Sequence, residues 1–170
     1  MDISYYRKMR NVRRLTGNMM HRNYNLLEHS YMVVVLFMEF CRREDITINL
    51  ACIDLVLHHD IVETVTSDLP YPVKNYNTKT QTCWEEMENE ILKEHPCLTR
   101  YSDARIKQLL PTKAYELFKV CDLLELWICM SEEVALGNVS SDCMQVIHKC
   151  NELIKGNFES VDLFMSRYEI

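Results

Sequence analysis

Glycine is scarce in this chain. Only three of its 170 residues are glycine, whereas an average protein has about 7%. The three stand alone at Gly17, Gly137 and Gly156, so none of the glycine-based motifs that cradle phosphates or expose a nucleophilic serine can be formed. If the protein handles phosphate groups, it must hold them with other side chains or with a metal ion.

Long apolar runs are also missing. The longest, Tyr31 to Met38, has eight residues, well short of the roughly 18 that a membrane span needs. The first residues, Met1 to Ser4, do not begin a signal-peptide pattern. We therefore expect a protein that has no membrane partner and works in the cytoplasm.

Closely spaced cysteine pairs are absent as well. The chain has eight cysteines, but no two are separated by two residues, which argues against a zinc ribbon or a thioredoxin-type site. Most lie in apolar stretches such as residues 50–53. We therefore expect them to be reduced, small core residues.

What is present is an ordinary globular composition with helical periodicity. The chain is 48% hydrophobic and 26% charged, and its length suits one domain. Apolar residues recur at helical spacing nearly throughout, and no alternating β pattern competes, so the prediction is an all-α bundle. Helices are expected over residues 3–14, 28–43, 47–64, 76–94 and 112–136, from Asn138 or Ser140 to about 155, and around 161–164, with a loop at 68–72.

The helix over 28–43 is apolar almost all round, which is typical of a central, buried helix. The net charge is −6, but residues 7–22 carry six basic side chains and no acidic one. This basic segment is either a solvated helix face or an anion-binding wall for a small phosphate or a nucleic acid.

An apolar helix runs directly into His58, His59 and Asp60. Buried charges are costly unless they are paired or bound to a metal, so this cluster needs a partner. His59 and Glu63 are four residues apart and are expected to share a helix face, and a bend could aim Asp60 at the same cation. The alternative is a helix end with capping charges and a hydrogen-bonded core histidine.

Three further polar residues are candidates for the same site. His29 opens the predicted central helix, Asp122 lies among apolar neighbours in the long helix, and Asp68 precedes a proline-rich loop. Each also has an ordinary interpretation, as a hydrogen-bonded core group or a turn residue.

Together these residues resemble a known pattern. The order His29, His59-Asp60, Asp122 is similar to the H…HD…D signature of the HD-domain metal-dependent phosphohydrolases. The wider set resembles the YfbR-like 5′-deoxynucleotidases and small phage deoxynucleoside triphosphate hydrolases. It consists of Glu28-His29-Ser30, His59-Asp60-x-x-Glu63, Asp68-Leu69-Pro70-x-Pro72-Val73-Lys74 and Lys119-x-x-Asp122. The resemblance spans about residues 7–137, and because no linker or domain boundary is found we expect a single HD domain over residues 1–170, built as a helical bundle.

The resemblance also implies roles for individual residues. His29, His59, Asp60 and Asp122 would bind one divalent metal, and this donor set suits Mn, Co, Fe or Zn better than Ca or Mg. Glu63 would act as the general base or orient the attacking water.

By the same resemblance, Asp68 would position the water or the sugar. Arg14 would bind the phosphate, and Lys119 and Lys74 would neutralise its charge. The family has a tryptophan after its phosphate-binding arginine, whereas this chain has Leu15, so the nucleoside wall of the pocket is expected to differ.

The implied activity is hydrolysis of a deoxynucleoside 5′-monophosphate to a deoxynucleoside and phosphate. The first alternative is a triphosphohydrolase that releases tripolyphosphate from a dNTP, for example dATP, using the basic segment for the extra phosphates. The second is a metal-bound regulatory or nucleic-acid-binding module without activity, although the negative net charge and few aromatic residues disfavour nucleic acid. The resemblance further implies a homo-oligomer, and the composition would suit a phage enzyme acting in the host cytoplasm.

Overall fold

The computed structural model describes residues 3–69, 73 and 76–168, and it is built from helices. In these residues the only β pairing is an isolated bridge between Arg13 and Asn25, so the predicted all-α class is confirmed. The α-helices are α1 Ile3–Met9, α2 Leu26–Arg43, α3 Leu50–Leu57, α4 Glu63–Thr66, α5 Thr78–Glu94, α6 Asp103–Leu109, α7 Thr112–Ala135, α8 Ser141–Ile154 and α9 Glu159–Arg167, with a 3₁₀-helix at Pro96–Tyr101.

Side chains at the helix N-termini explain where several helices begin. Asn25, Asn49 and Asn77 each accept a hydrogen bond from the backbone N–H three residues further on, at the starts of α2, α3 and α5. Ser140 does the same for α8. Asparagine and serine favour this position because their side-chain oxygens satisfy an otherwise unpaired amide of the first turn.

The hydrophobic core forms around α2 and α7, which pack against each other. Helix α2 also contacts α3 and α9, and α7 contacts α8. Fully buried side chains at the centre include Phe37 and Phe40 of α2 and Phe118, Leu117 and Leu124 of α7. These two helices also supply His29 and Asp122, so the core fixes the relative position of the candidate ligands.

One face of α2 departs from the sequence expectation. The helix is central, but four of its apolar residues are exposed, by 42% at Leu27, 60% at Tyr31, 40% at Val35 and 38% at Met38. They recur every three or four residues and therefore form a stripe along one side of the helix. We call these four residues the α2 stripe. The expectation that α2 is buried almost all round is wrong on this face.

The first helix is shorter than predicted. It ends at Met9 rather than near residue 14, because the following backbone pairs with residues 24–26 instead. Arg14 N–H donates to the Tyr24 carbonyl at 3.1 Å, and Leu26 N–H donates to the Val12 carbonyl at 2.9 Å. The prediction of one basic helix over residues 3–14 is therefore wrong.

The helix predicted over 47–64 is also interrupted. Helix α3 ends at Leu57, residues 58–62 form a turn, and α4 starts at Glu63. The rings of His58 and His59 donate to the carbonyls of Asp54 and Val56, both at 2.8 Å, and so compete with the continuing helix. His59 and Glu63 therefore do not share a helix face, and that prediction is wrong.

The remaining predicted helices match α2, α5, α7, α8 and α9 to within a few residues at their ends. The 3₁₀-helix and α6 were not predicted. Six of the eight cysteines are buried and all eight are unpaired, whereas Cys83 and Cys97 are exposed. No helix in the described part of the chain is long and apolar enough to cross a membrane.

Candidate metal and phosphate site

Two histidines and an aspartate from separate elements meet in the interior. His29 comes from the first turn of α2, His59 from the turn after α3, and Asp122 from the middle of α7. Asp122 Oδ1 lies 3.1 Å from His29 Nε2 and 3.6 Å from His59 Nε2, and the two Nε2 atoms are 3.3 Å apart. One ligand atom of each residue thus lies within 4.8 Å of the others, as a shared metal ion requires.

Asp60 lies at the edge of this cluster. Its Oδ2 atom is 3.2 Å from His59 Nε2 and 3.8 Å from His29 Nε2, but it is closer, at 2.6 Å, to the guanidinium of Arg14. Burial alone would raise the pKa of the Asp60 carboxyl, but the positive charges of His59 and Arg14 hold that pKa well below its ordinary value. Asp60 is therefore an anion that can face a metal on one side and Arg14 on the other.

The electrostatics of the cluster suit a cation. Burial would raise the pKa of Asp122, but hydrogen bonds from His29 and His59 hold it well below its ordinary value. Burial would lower the pKa of His59, but Asp60 and Asp122 outweigh it and raise that pKa to about 10. A divalent metal would meet the same carboxylates and release protons from the imidazoles on binding. Imidazole nitrogens and carboxylate oxygens together fit Mn, Co, Fe or Zn.

The outer nitrogens of both histidines are already hydrogen-bonded. His59 Nδ1 donates to the Val56 carbonyl at 2.8 Å, and His29 Nδ1 lies 2.5 Å from Glu125 Oε2. Both rings consequently turn Nε2 toward Asp122. Such outer contacts fix the orientation of metal-binding histidines.

Arg14 connects the cluster to Glu63. Its guanidinium lies 3.3 Å from Glu63 Oε2 as well as 2.6 Å from Asp60 Oδ2. Burial would lower the pKa of Arg14, but Asp60 and Glu63 raise it well above its ordinary value, so the side chain is a permanent cation. The structure thus brings the predicted phosphate-binding arginine and the predicted base to the metal cluster.

Leu15 and Asp68 are held together by the backbone. Leu15 N–H donates to Asp68 Oδ2 at 3.0 Å, and Leu15 adopts a left-handed backbone with φ of 56°. A non-glycine residue seldom takes this conformation, which concentrates at functional sites. A cavity of about 370 Å³ opens beside Arg14 and Leu15, with His21 and Arg22 also on its wall.

Lys119 lies one turn before Asp122 on α7. Its Nζ atom is 3.6 Å from Asp122 Oδ2 and 3.6 Å from Asp103 Oδ1, and its side chain is nearly half exposed. Burial would lower its pKa, but these two carboxylates raise it. Lys119 therefore reaches the rim of the cluster, whereas Lys74 lies outside the described residues.

Two functional candidates, Glu125 and Tyr24, and one buried structural carboxylate, Glu133, were missed from the sequence. Glu125 and Tyr24 are both 5% exposed and contact His29 from behind. Glu133 is fully buried and accepts hydrogen bonds from the backbone of His21 and Arg22, at 2.7 and 3.1 Å. The sequence could have indicated Glu125, because it follows Asp122 by three residues on the predicted long helix and therefore lies on the same helix face.

A helical bundle that joins two histidines and an aspartate in this order, with a second aspartate beside them, is the arrangement that the resemblance to the HD-domain phosphohydrolases predicts. The family model for the 5′-deoxynucleotidase YfbR-like proteins matches residues 3–169. The chain belongs to that family and is an enzyme that hydrolyses deoxynucleotide phosphate esters, and its His29, His59 and Asp122 form a group that can hold a metal ion.

Solved structures share the fold. The HD phosphohydrolase DatZ of cyanophage S-2L, solved with dA and one catalytic Zn²⁺, aligns with a TM-score of 0.69 and 18% identity over 91% of this chain and 83% of that one. An HD-domain phosphohydrolase from Listeria innocua aligns with a TM-score of 0.72 and 20% identity, covering 97% and 86%. A protein from Pyrococcus horikoshii OT3 aligns with a TM-score of 0.70 and 15% identity, covering 94% and 93%.

The search of curated proteins finds no match. The family assignment therefore depends on the match of the family model to residues 3–169, and the structural neighbours support the HD-domain helical fold.

Proposed function

We propose that this chain is a deoxynucleoside 5′-monophosphatase that releases orthophosphate. The observation that carries the proposal is the position of Arg14, whose guanidinium lies between the Asp60 edge of the metal cluster and Glu63. A guanidinium presents parallel N–H donors that match phosphate oxygens, so a phosphate held there would sit beside both the metal and the base.

His29, His59 and Asp122 would hold the metal, with Asp60 as the fourth ligand. When bound, a divalent metal polarises a phosphoryl oxygen and lowers the pKa of a coordinated water. Co, Mn, Zn and Fe all suit these donors, and Zn²⁺ is the ion solved in the cyanophage structure.

Glu63 is the group proposed to take the proton from the attacking water. Its side chain is only 8% exposed, and its Oε2 atom already faces Arg14. When a phosphate dianion draws the guanidinium toward itself, the carboxylate loses part of its partner and becomes a better proton acceptor.

Three other side chains are assigned around the phosphate and the sugar. Lys119 is proposed to offset phosphate charge from the rim of the cluster, and Lys74 is proposed for the same task. Asp68 is proposed to hold the backbone of Leu15, so that Leu15 forms a wall of the nucleoside pocket.

A monophosphate suits the charges better than a triphosphate does. Of the basic side chains near the 370 Å³ cavity, Arg22 is already paired with Glu132 at 2.7 Å and with Glu133 at 3.3 Å. Among the described residues, Arg14 and, at the rim, Lys119 then remain as the cations next to the cluster, and Arg13 lines the cavity. A dNTP would bring further negative charge, which favours the monophosphate over tripolyphosphate release from a substrate such as dATP.

Phosphorus NMR of the products tests this proposal. The protein with added Co²⁺ or Mn²⁺ is incubated with matched panels of deoxynucleoside mono- and triphosphates. Orthophosphate from the monophosphates supports the proposal. Tripolyphosphate released from a triphosphate would instead identify the protein as a triphosphohydrolase. Nucleic-acid binding that falls steeply with salt, without any phosphate release, would identify it as a binding module.

We infer that the protein forms a homo-oligomer through the α2 stripe. Exposed apolar side chains in a contiguous row are typical of interaction surfaces. Tyr31→Asp should lower the mass measured by light scattering, whereas Tyr76→Asp, at a residue that is 79% exposed outside the stripe, should not. A wild-type monomer would contradict the inference.

We further infer a single domain in the cytoplasm. Residues from every described α-helix except α4 contribute to one hydrophobic cluster, which supports one domain over residues 1–170. Eight unpaired cysteines suit a reducing compartment such as the cytoplasm, where the proposed nucleotide substrates also occur. Limited proteolysis that released two stable fragments would contradict the single domain.

A further inference from the structure

A buried carboxylate lies behind His29, on the side away from the metal cluster. Glu125 Oε2 is 2.5 Å from His29 Nδ1, and the Tyr24 hydroxyl is 2.9 Å from the same nitrogen. Tyr24 also donates a hydrogen bond to Glu125 Oε2. Three polar groups thus meet in a place that is closed to solvent, with His29 itself fully buried.

The arrangement gives His29 a single metal-facing nitrogen. Because Nδ1 donates to Glu125, Nε2 is the atom left to face Asp122 Oδ1 at 3.1 Å. His59 has the same arrangement, but its Nδ1 donates to a backbone carbonyl, that of Val56. His29 is therefore the ligand whose orientation depends on another side chain.

Glu125 itself is fixed from two directions. It lies on α7, one turn after Asp122, so the helix that supplies a metal ligand also supplies the group behind another ligand. The Tyr24 hydroxyl binds the same oxygen as His29 does. A carboxylate held in this way strengthens the imidazole as a metal donor and keeps its ring from rotating.

We propose that Glu125, held by the hydroxyl of Tyr24, is a positioning residue that orients His29 and raises its affinity for the divalent metal. The inference rests on the proposed metal site. It adds to that site two residues that act through His29 rather than as metal ligands.

Tyr24 also contributes through its backbone, and the two contributions can be separated. Its carbonyl accepts from the Arg14 N–H at 3.1 Å, which holds the segment that carries Arg14. Tyr24→Phe removes the hydroxyl and leaves that backbone contact unchanged. The variant therefore removes the hydroxyl contacts to Glu125 and His29 without changing the backbone contact to Arg14.

The test is a Co²⁺ titration of the full-length protein, followed by the visible absorption of the bound metal. Glu125→Gln keeps an oxygen acceptor without the charge and should weaken Co²⁺ binding by about tenfold. Glu125→Leu removes the acceptor and should weaken it by about 100-fold with an altered spectrum. Tyr24→Phe should weaken it by roughly threefold to tenfold.

Glu133→Gln is the matched control. Glu133 is also buried on α7, two turns further on, and also accepts hydrogen bonds from the segment before α2, but it does not contact a ligand. The Glu133→Gln variant should have a lower melting temperature than the wild type, but its Co²⁺ affinity should change by less than about threefold. At saturating Co²⁺, the kcat of Glu125→Gln should return close to that of the wild type, because the residue acts through metal binding.

The outcomes separate two claims. If the wild-type protein does not bind Co²⁺, the proposed function loses its metal site. If the wild type binds Co²⁺ but Glu125→Gln and Tyr24→Phe bind it with the same affinity as Glu133→Gln, the positioning role of Glu125 is overturned while the metal site stands. Should Glu125→Leu fail to fold, the other two variants decide by the same comparison.

Discussion

The guanidinium of Arg14 lies 2.6 Å from the carboxylate of Asp60, a predicted metal ligand. The same guanidinium is 3.3 Å from Glu63, the predicted base. One cation therefore bridges the two groups that the proposed reaction must use separately. A phosphate dianion that binds Arg14 competes with both carboxylates, which links substrate binding to the state of Asp60 and Glu63.

Arg14→Ala should weaken substrate binding far more than metal binding. Charge-assisted hydrogen bonds contribute about 1.5–3 kcal/mol, so the KM for the nucleotide should rise roughly 10- to 100-fold. Metal affinity should be kept, because Asp60 loses a competing partner. Steady-state kinetics and Co²⁺ titration measure the two effects. Arg10→Ala, at an exposed basic residue of the same segment that does not line the cavity, is the control, and an equal effect of both variants would remove the phosphate role from Arg14.

Glu63→Gln should lower kcat while the metal still binds. An amide of nearly the same shape cannot accept the proton, and a positioned general base typically contributes 10²- to 10⁴-fold, so a loss of about that size is expected. Single-turnover phosphate release measures the effect, and Co²⁺ titration serves as the control. A rate within about threefold of the wild type would show that another group takes the proton.

Glu133 should make folding stability depend on acidity. Burial would raise its pKa, but hydrogen bonds from the His21 and Arg22 backbone and from Asn138 lower the pKa below the ordinary 4.5. A carboxyl whose pKa is lower in the folded state stabilises fully above the unfolded value, and this stabilisation is lost as the pH falls through the folded value. It is therefore present at neutral pH and declines in the acid range below about 4.5.

Denaturant unfolding of the wild type and of Glu133→Gln over a pH series checks this prediction. At pH 7 the variant should be less stable by about 1–3 kcal/mol, because its amide cannot accept from both backbone N–H groups. The difference should shrink as the pH falls below 4.5. A difference that is constant with pH would mean that the charge of Glu133 contributes nothing.

Apolar periodicity was sufficient to predict the helical class and most helix positions. It placed α2, α5, α7 and α8 within a few residues of their observed ends, because each buries a face at helical spacing. The periodicity gave wrong helix ends where other backbone or side-chain hydrogen bonds replace those of the helix. The rings of His58 and His59 end α3, and the pairing of residues 12–14 with 24–26 shortens α1.

The candidate ligands could be found from the sequence, whereas their supporting contacts could not. The order His29, His59-Asp60, Asp122 resembles a known signature, and the structure brings these residues together. Glu125 and Tyr24 are separated by 101 residues, and no local pattern shows that a glutamate in an apolar helix meets a tyrosine in a loop. Long-range polar contacts of this kind depend on tertiary packing.

The most direct test of the central claim is phosphate release as a function of added metal. The protein is stripped with a chelator, Co²⁺ or Mn²⁺ is titrated back, and orthophosphate from a deoxynucleoside 5′-monophosphate is measured alongside Asp122→Ala. We predict no release from the stripped wild type, a rise that saturates near one metal per chain, and no release from Asp122→Ala at any metal concentration. Release from the stripped protein, or equal release from Asp122→Ala, would contradict the assignment of this cluster as the catalytic metal site.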